Sequence, residues 1–257
     1  MDETCPLVPL FEFDDDVSMI TAAPKEELLR DLNGADTCVM TYMPRLEGTD
    51  VAQELDPLYR FIGGGANLMQ YIYRDGLVVA NLPAGASMGA ALMEELISLG
   101  VSRFICCGSA GLIDSDFDPN KLLLVTDALR DEGTSYHYLP AGEDAYTNPL
   151  LREEVKAALD KRSIAYAEGR VWTTDAIYRE TPERVERRRR QGCIAVDMAT
   201  SALCAVAQFR GVEFMQILYF SNFLFSDVWS GYAKNYPDLR QRALHLLLDV
   251  GSDVAGL

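Results

Sequence analysis

Two glycine-rich segments contain residue types that bind anions. The segment GSAG at 108–111 follows the apolar run 103–107, and its backbone N–H groups and serine hydroxyl are suited to a phosphate. It has neither the GK[ST] of a Walker loop nor a GxGxxG fingerprint, so a tight turn after a strand is the alternative. Gly85 and Gly89 flank the start of a predicted helix, where an anion or close helix–strand packing would favour small residues.

The remaining residues give little support for nucleophilic or metal chemistry. The sequence has no GxSxG elbow and only two histidines, so a Ser-His-Asp arrangement is not indicated. His137 lies in a polar and aromatic loop, where a structural role is more common than catalysis, and His245 lies in mid-helix between leucines. The six cysteines have no CxxC spacing and no histidine nearby, so we predict no metal site.

The charge balance excludes several classes of partner. The 257 residues include 23 Lys+Arg and 39 Asp+Glu, which gives a formal net charge of −16. Nucleic acids and anionic membranes are bound by clustered basic residues, so we expect neither as a partner. The basic run at 187–190 is typical of a solvated helix face.

The first residues are unlike a signal peptide. Residues 1–36 contain two bases and ten acids, so 2 − 10 = −8, half of the net charge, lies there. Because this segment is acidic, because the cysteines form no framework and because no apolar run reaches membrane-spanning length, we predict a reduced, soluble, cytoplasmic protein. We divide the chain into an acidic N-terminal arm with a first helix, residues 1–36, and an α/β domain, residues 37–257.

Apolar patterning predicts the elements that must position these residues. The predicted strands are 38–43, 70–74, 77–82, 103–107, 121–126, 166–172, 194–197 and 214–220. The first predicted helix starts at Pro24, and five further helices are predicted at 88–99, 148–161, 182–190, 200–209 and 238–250. This alternation indicates an α/β fold, a single-domain mixed β-sheet flanked by helices, with a hairpin turn at Asp75-Gly76. Ligands of such sheets bind at the carboxyl ends of strands.

Five segments together resemble the nucleoside phosphorylase family of the uridine and purine phosphorylase type. They are residues 83–99, 104–112 (FICCGSAGL), 131–138 (DEGTSYHY), 172–180 (WTTDAIYRE) and 195–203 (AVDMATSAL). The resemblance implies cleavage of a nucleoside N-glycosidic bond by inorganic phosphate, which gives a sugar 1-phosphate and a free base. It implies phosphate as a co-substrate, no cofactor, and a homo-oligomer that is a dimer or a hexamer.

The resemblance also assigns site residues by position. The phosphate-binding positions are Arg45 and Ser109. The ribose-binding positions are Asp197 and Met198. The base-binding positions are Ala110, Gly111, Ile177 and Arg179, with Arg130 as a further candidate. The catalytic positions are Asn222 and Asp227.

Three positions depart from the family pattern. Cys106 stands where well-known phosphorylases carry a phosphate-binding arginine. The hydrolytic nucleosidases of the family lack this arginine as well. Ala199 replaces a glutamate that binds the ribose hydroxyls, a loss of about 1.5–3 kcal/mol. Asn222 replaces an acidic residue and cannot transfer a proton. We therefore predict a phosphorylase, with two alternatives: a nucleosidase that uses water, or a catalytically impaired family member that binds a nucleoside.

Overall fold

The computed structural model describes residues 8–22, 26–43, 46–63, 66–74, 76–224 and 236–257. Its strands are β1 (Thr37–Thr41), β2 (Leu55–Gly63), β3 (Ala66–Tyr73), β4 (Leu77–Asn81), β5 (Arg103–Leu112), β6 (Leu122–Asp131), β7 (Ala145–Tyr146), β8 (Tyr166–Thr174), β9 (Cys193–Asp197) and β10 (Glu213–Phe223). Its α-helices are α1 (Glu26–Leu32), α2 (Ala86–Ser98), α3 (Pro149–Lys161), α4 (Pro182–Arg190), α5 (Thr200–Arg210) and α6 (Tyr236–Ala255).

The strands form one mixed sheet that closes on itself at one end. β5 pairs with β10, β10 with β6, β6 with β8, β8 with β9, and β9 pairs back with β5. The sheet also extends away from this closed end: β5 pairs with β1, and β4, β3 and β2 follow in that order. β1, β4, β5 and β10 run parallel, so their carboxyl ends lie at the same edge.

Four apolar clusters hold this sheet, and the smallest packs Val185 of α4 against Trp172 and Val196. One face packs on α2 and α5, through residues such as Leu92 and Leu203. The opposite face packs on α3 and α6, through residues such as Val155 and Leu247. Inside the closed ring of strands, small and branched side chains fill the interior, among them Ala110, Leu112, Val125, Val171 and Leu218. The predicted α/β class, with a mixed sheet between helices, is confirmed.

Local signals explain the well-placed helices. The side chain of Asn148 accepts hydrogen bonds from the amides of Leu150 and Leu151, both at 2.9 Å, and Pro149 occupies the first turn of α3. Thr181 caps α4 in the same way, and that helix covers the predicted 182–190. Gly211, with φ of 68°, ends α5 in the left-handed region.

The structure corrects one local interpretation. The segment 108–111 is not a turn: β5 continues through it, because these residues pair with β10 and Gly111 also pairs with Val196 of β9. A Cβ atom on Gly111 would lie 3.1 Å from Cγ1 of Val196 and 3.2 Å from Nδ2 of Asn222. Glycine is therefore required there for close strand packing rather than for turning the chain.

Two strands, β2 and β7, have no counterpart among the predicted elements. The hairpin between β3 and β4 is present where the sequence predicts it, although Asp75 lies outside the described residues. The division of the chain at residue 36 stays a prediction. None of the helices in the described ranges is both long and apolar enough to cross a membrane.

Candidate active site

A cavity of about 630 Å³ opens at the carboxyl ends of the parallel strands. Seven residues that the sequence assigns to a site line it together: Ser109, Ala110, Gly111, Ile177, Asp197, Met198 and Asn222. They come from β5, β9, β10 and the loop after β8, and the sheet closure brings these elements together. Arg45 and Asp227 lie outside the described residues.

One end of the cavity is suited to an anion. Ser109 lies on β5, and Gly85 directly precedes α2 with a φ of 98°, a backbone conformation that favours glycine. No side chain caps the first turn of α2. Its amide groups and the positive end of the helix dipole are therefore oriented toward the region of Gly85.

Cys106 does not line this cavity, whereas Tyr42, whose side chain interacts with that of Cys106, does. Cys106 is fully buried, and burial raises the pKa of its thiol well above the usual value. The Tyr42 ring lies over Gly108, where a Cβ atom would be 3.0 Å from two ring carbons. Burial is the main cause that raises the pKa of the Tyr42 hydroxyl, and the nearby Cys106 thiol and Asp197 carboxyl add to the effect. This wall is therefore neutral at physiological pH.

A basic side chain reaches the same end of the site from α6. Arg240 donates from Nη2 to the backbone oxygen of Tyr42 at 2.8 Å. It lines a small cavity of about 20 Å³ together with Tyr42, Gly108 and Ser109. No Lys, Arg or His is found among the described residues around the larger cavity, so Arg240 contributes positive charge from behind its wall.

The carboxylate of Asp197 is held by four hydrogen bonds. Its Oδ1 accepts from the Thr173 hydroxyl at 2.7 Å. Its Oδ2 accepts from the Thr200 hydroxyl at 2.7 Å and from the amides of Thr200 at 2.9 Å and Ala199 at 3.1 Å. Burial raises the pKa of Asp197, and these hydrogen bonds oppose that effect. The carboxylate thus fixes the start of α5 and has little capacity left for a ligand.

The other end of the cavity is mostly apolar. Gly111, Val196, Leu218 and Ile177 line it, together with the side chain of Asn222 on β10. Oδ1 of Asn222 accepts a hydrogen bond from the Ser221 hydroxyl at 3.0 Å, so its Nδ2 group faces Gly111. A flat heterocycle fits such a surface, with the amide available to its polar edge.

Glu180 also lines this end, and it is not among the site residues that the sequence predicts. It follows the 3₁₀ turn Ile177–Arg179, and Ile177 and Tyr178 line the cavity beside it. The side chain is half-buried, and burial raises the pKa of its carboxyl from 4.5 to about 7. No hydrogen bond or ion pair joins that carboxyl to another of the residues that the structure describes.

Two assigned arginines and the loop histidine lie elsewhere. Arg179 is exposed and does not line the cavity. The guanidinium of Arg130 donates to the Ser135 hydroxyl and to three backbone oxygens, those of Leu139, Pro140 and Glu143, at 2.7–2.9 Å. Arg130 therefore holds the loop after β6 rather than a ligand. His137 ends a 3₁₀ turn in that loop and is exposed.

The part of the chain that the structure describes contains no cluster of candidate metal ligands. No group of three or more His, Cys, Asp or Glu side chains there is arranged to hold a metal ion. The five described cysteines, Cys38, Cys106, Cys107, Cys193 and Cys204, are buried and free.

Comparison with known proteins gives a family match over most of the chain. Residues 37–249 match the model of the phosphorylase superfamily. Guanosine phosphorylase of Halorubrum lacusprofundi is 28% identical over 138 residues, which are 53% of this chain and 57% of that protein. The DeoD-type purine nucleoside phosphorylase of Bacillus cereus is 27% identical over 178 residues, 66% of this chain and 73% of that protein. The match thus spans little more than half of the first of these relatives.

Solved structures share the fold. Uridine phosphorylase from Vibrio fischeri superimposes with a TM-score of 0.70 at 20% identity, over 91% of this chain and 98% of that one. AMP nucleosidase from Bacteroides thetaiotaomicron superimposes with a TM-score of 0.69 at 18% identity, over 86% and 88% of the two chains. At these identities the likeness concerns the fold alone.

Proposed function

Because this chain belongs to the phosphorylase superfamily, we propose that it cleaves the N-glycosidic bond of a nucleoside with inorganic phosphate. The products are a sugar 1-phosphate and a free base. The single observation that carries the proposal is the cavity, where an anion-binding end, Met198 and an apolar slot with Asn222 lie side by side.

Each part of the cavity has a task in this reaction. Phosphate binds at Ser109 and the start of α2, and Arg240 supplies positive charge. The sugar lies on Met198. Because the transition state is oxocarbenium-like, a phosphate held beside C1′ stabilises the developing positive charge as well as attacking it. Phosphate is the co-substrate, and the reaction uses no cofactor.

The base occupies the apolar end. Ala110, Gly111 and Ile177 pack on its faces, and Asn222 forms a hydrogen bond to its edge. We take the base to be a purine, because the relatives named above are a guanosine and a purine nucleoside phosphorylase. Ile177 provides apolar contact but no aromatic stacking.

A specific observation favours a second candidate, hydrolysis. Cys106 and Tyr42 leave one wall of the anion-binding end neutral, and the wall itself holds no basic side chain among the described residues. A site with so little positive charge is compatible with water as the nucleophile. One structural neighbour is an AMP nucleosidase, so this fold also occurs among nucleosidases.

One experiment separates the candidates. The purified protein is incubated with guanosine, inosine, adenosine, uridine and their 2′-deoxy analogues, with and without inorganic phosphate, and bases and sugar 1-phosphates are quantified. Phosphorolysis requires phosphate and gives the sugar 1-phosphate with purine nucleosides. Equal release without phosphate would establish a nucleosidase. Calorimetric binding of a nucleoside without any product would establish a non-catalytic binding protein.

We also infer a homo-oligomer, a dimer or a hexamer, from membership of the family. Sedimentation analysis of the full chain measures the mass directly. A monomer of 28.5 kDa across the concentration range would refute this inference.

A further inference from the structure

The proposed reaction leaves negative charge on the departing base, and Asn222 cannot neutralise it by proton transfer. Its amide donates a hydrogen bond only. The described cavity residues include four titratable side chains: Tyr42, Tyr178, Glu180 and Asp197. Tyr42 is half-buried at the anion-binding end, and its hydroxyl, which has a raised pKa, is buried. Asp197 is held by four hydrogen bonds. Tyr178 is 94% exposed.

We propose that Glu180 donates a proton to N7 of a purine leaving base, an inference that rests on the proposed function. Glu180 lies in the loop after β8, whose neighbouring residues Ile177 and Tyr178 line the same end of the cavity. Asn222 lines this end from β10. A base between these two elements has one polar group available from each side, an amide and a carboxyl.

The surroundings keep this carboxyl ready to give up a proton near neutral pH. Burial raises its pKa to about 7, and no ion pair or hydrogen bond from a described residue offsets that shift. The other titratable groups that line the cavity are Tyr42 after β1, Asp197 on β9 and Tyr178. Glu183 and Arg184, at the start of α4, follow Glu180 in the chain and do not line the cavity. A general acid is most effective when its pKa is close to the working pH.

The proton transfer completes the reaction as follows. The bond between C1′ and the base nitrogen breaks, and its electron pair goes to the base. A phosphate oxygen forms the new bond to C1′. The Glu180 proton moves to N7, which leaves a neutral purine and a Glu180 carboxylate. The carboxylate regains a proton from solvent before the next turnover.

The test compares guanosine with 7-methylguanosine in the full-length protein. The methyl group places a positive charge on the base, so its departure needs no proton from the enzyme. In Glu180→Gln, kcat/KM for guanosine should fall about 100-fold or more, while kcat/KM for 7-methylguanosine changes less than about threefold. Glu183→Gln, on the exposed side of α4, is the matched control and should behave as wild type with both substrates.

The pH profile gives a second and independent readout. Wild-type kcat/KM for guanosine should fall as pH rises above about 7, because the acid must be protonated, and the residual activity of Glu180→Gln should lack this limb. Loss of less than threefold in Glu180→Gln, or equal loss with both substrates and an unchanged pH limb, would overturn the role of Glu180 alone. Absence of phosphate-dependent release by the wild type would overturn the proposed function as well.

Discussion

At the sugar end of the cavity, the carboxylate of Asp197 is held by Thr173, Ala199 and Thr200. The methyl group of Ala199 occupies the position after Met198, where a carboxylate would bind sugar hydroxyls in the family pattern. The contacts of Asp197 explain why it does not replace that group. Freeing its carboxylate would leave the Thr173 hydroxyl on β8, and one hydroxyl and two amides at the start of α5, without their acceptor.

Ala199→Glu should therefore increase turnover of ribonucleosides. A charged hydrogen bond to a ribose hydroxyl contributes about 1.5–3 kcal/mol, which corresponds to a gain of roughly tenfold or more in kcat/KM. The gain should be smaller for 2′-deoxynucleosides, which lack one of the two hydroxyls. Ala199→Gln has the same size without the charge and is the control. An equal gain with both sugars, or with the Gln variant, would contradict this interpretation.

Arg240 is the residue whose removal should act on phosphate binding. Its contact with the Tyr42 backbone places positive charge beside Ser109. Arg240→Met should raise the KM for phosphate about tenfold or more, because the positive charge beside the phosphate site is lost, and should leave the KM for the nucleoside unchanged. Initial rates at varied phosphate measure this effect. Arg242→Met, an exposed change on the same helix, should have wild-type kinetics, and the same increase in both variants would argue against a local role.

At the scale of elements, α6 must pack closely on the sheet for Arg240 to reach Tyr42. Gly251 makes this approach possible, since a Cβ atom there would overlap Cγ1 of Val39 on β1 and would lie 3.1 Å from a methyl carbon of Leu77 on β4. Val39 is fully buried and β-branched, so its side chain has little freedom to move aside.

Gly251→Ala should destabilise the fold. Overpacking costs about 1–3 kcal/mol, which exceeds the gain of up to about 1 kcal/mol from replacing glycine by alanine within a helix. Urea denaturation measures the difference in free energy of unfolding. Gly142→Ala is the control, because no atom lies within 4 Å of the position that its Cβ would take, and its backbone is compatible with alanine. Equal stability of wild type and Gly251→Ala would show that α6 can shift on the sheet.

Comparison of the predicted with the observed helices and strands shows which of them can be predicted from local sequence. Helices such as α3 and α4 follow from local capping and apolar spacing, and the predicted bounds of both agree with the structure to within one residue. β2 contains Asp56, Pro57 and Arg60, which interrupt any alternating pattern, so the sequence does not predict it. The strand through 108–111 resembles a turn in sequence, because its glycines serve contacts with β10 and β9, about 85 to 110 residues away.

Contacts between residues far apart in sequence also limit how much of the site can be predicted. Ser109 and Met198 can be assigned from sequence because each belongs to a segment of the family resemblance, and Asn222 because it follows the last predicted strand. Tyr42 and Arg240 lie outside those segments, and Glu180 ends one of them at a position to which the resemblance assigns no role. They become candidates only when the folded chain places them around one site, which depends on contacts between β1, the loop after β8 and α6. Burial and missing partners, which distinguish Glu180, are properties of the fold alone.

At the scale of the whole molecule, the net charge of −16 opposes the proposed use of a phosphate dianion. Half of that charge lies in residues 1–36, and the described residues of this segment do not line the cavity. Two electrostatic effects therefore compete when phosphate approaches: attraction to Arg240 at short range, and repulsion by the acidic surface at long range. Salt screens exposed, distant charges much more strongly than partly buried, close ones.

This difference predicts the direction of the salt effect. Raising the ionic strength from about 0.01 M to 0.1 M shortens the screening length from about 30 Å to 10 Å, which weakens the long-range repulsion while the contact with Arg240 persists. The KM for phosphate should therefore fall, by about two- to threefold, whereas the KM for an uncharged nucleoside stays constant and serves as the internal control. Steady-state kinetics in buffers of matched ionic strength measure both constants. A rise in the KM for phosphate would mean that local attraction dominates and that the acidic surface has no influence on its binding.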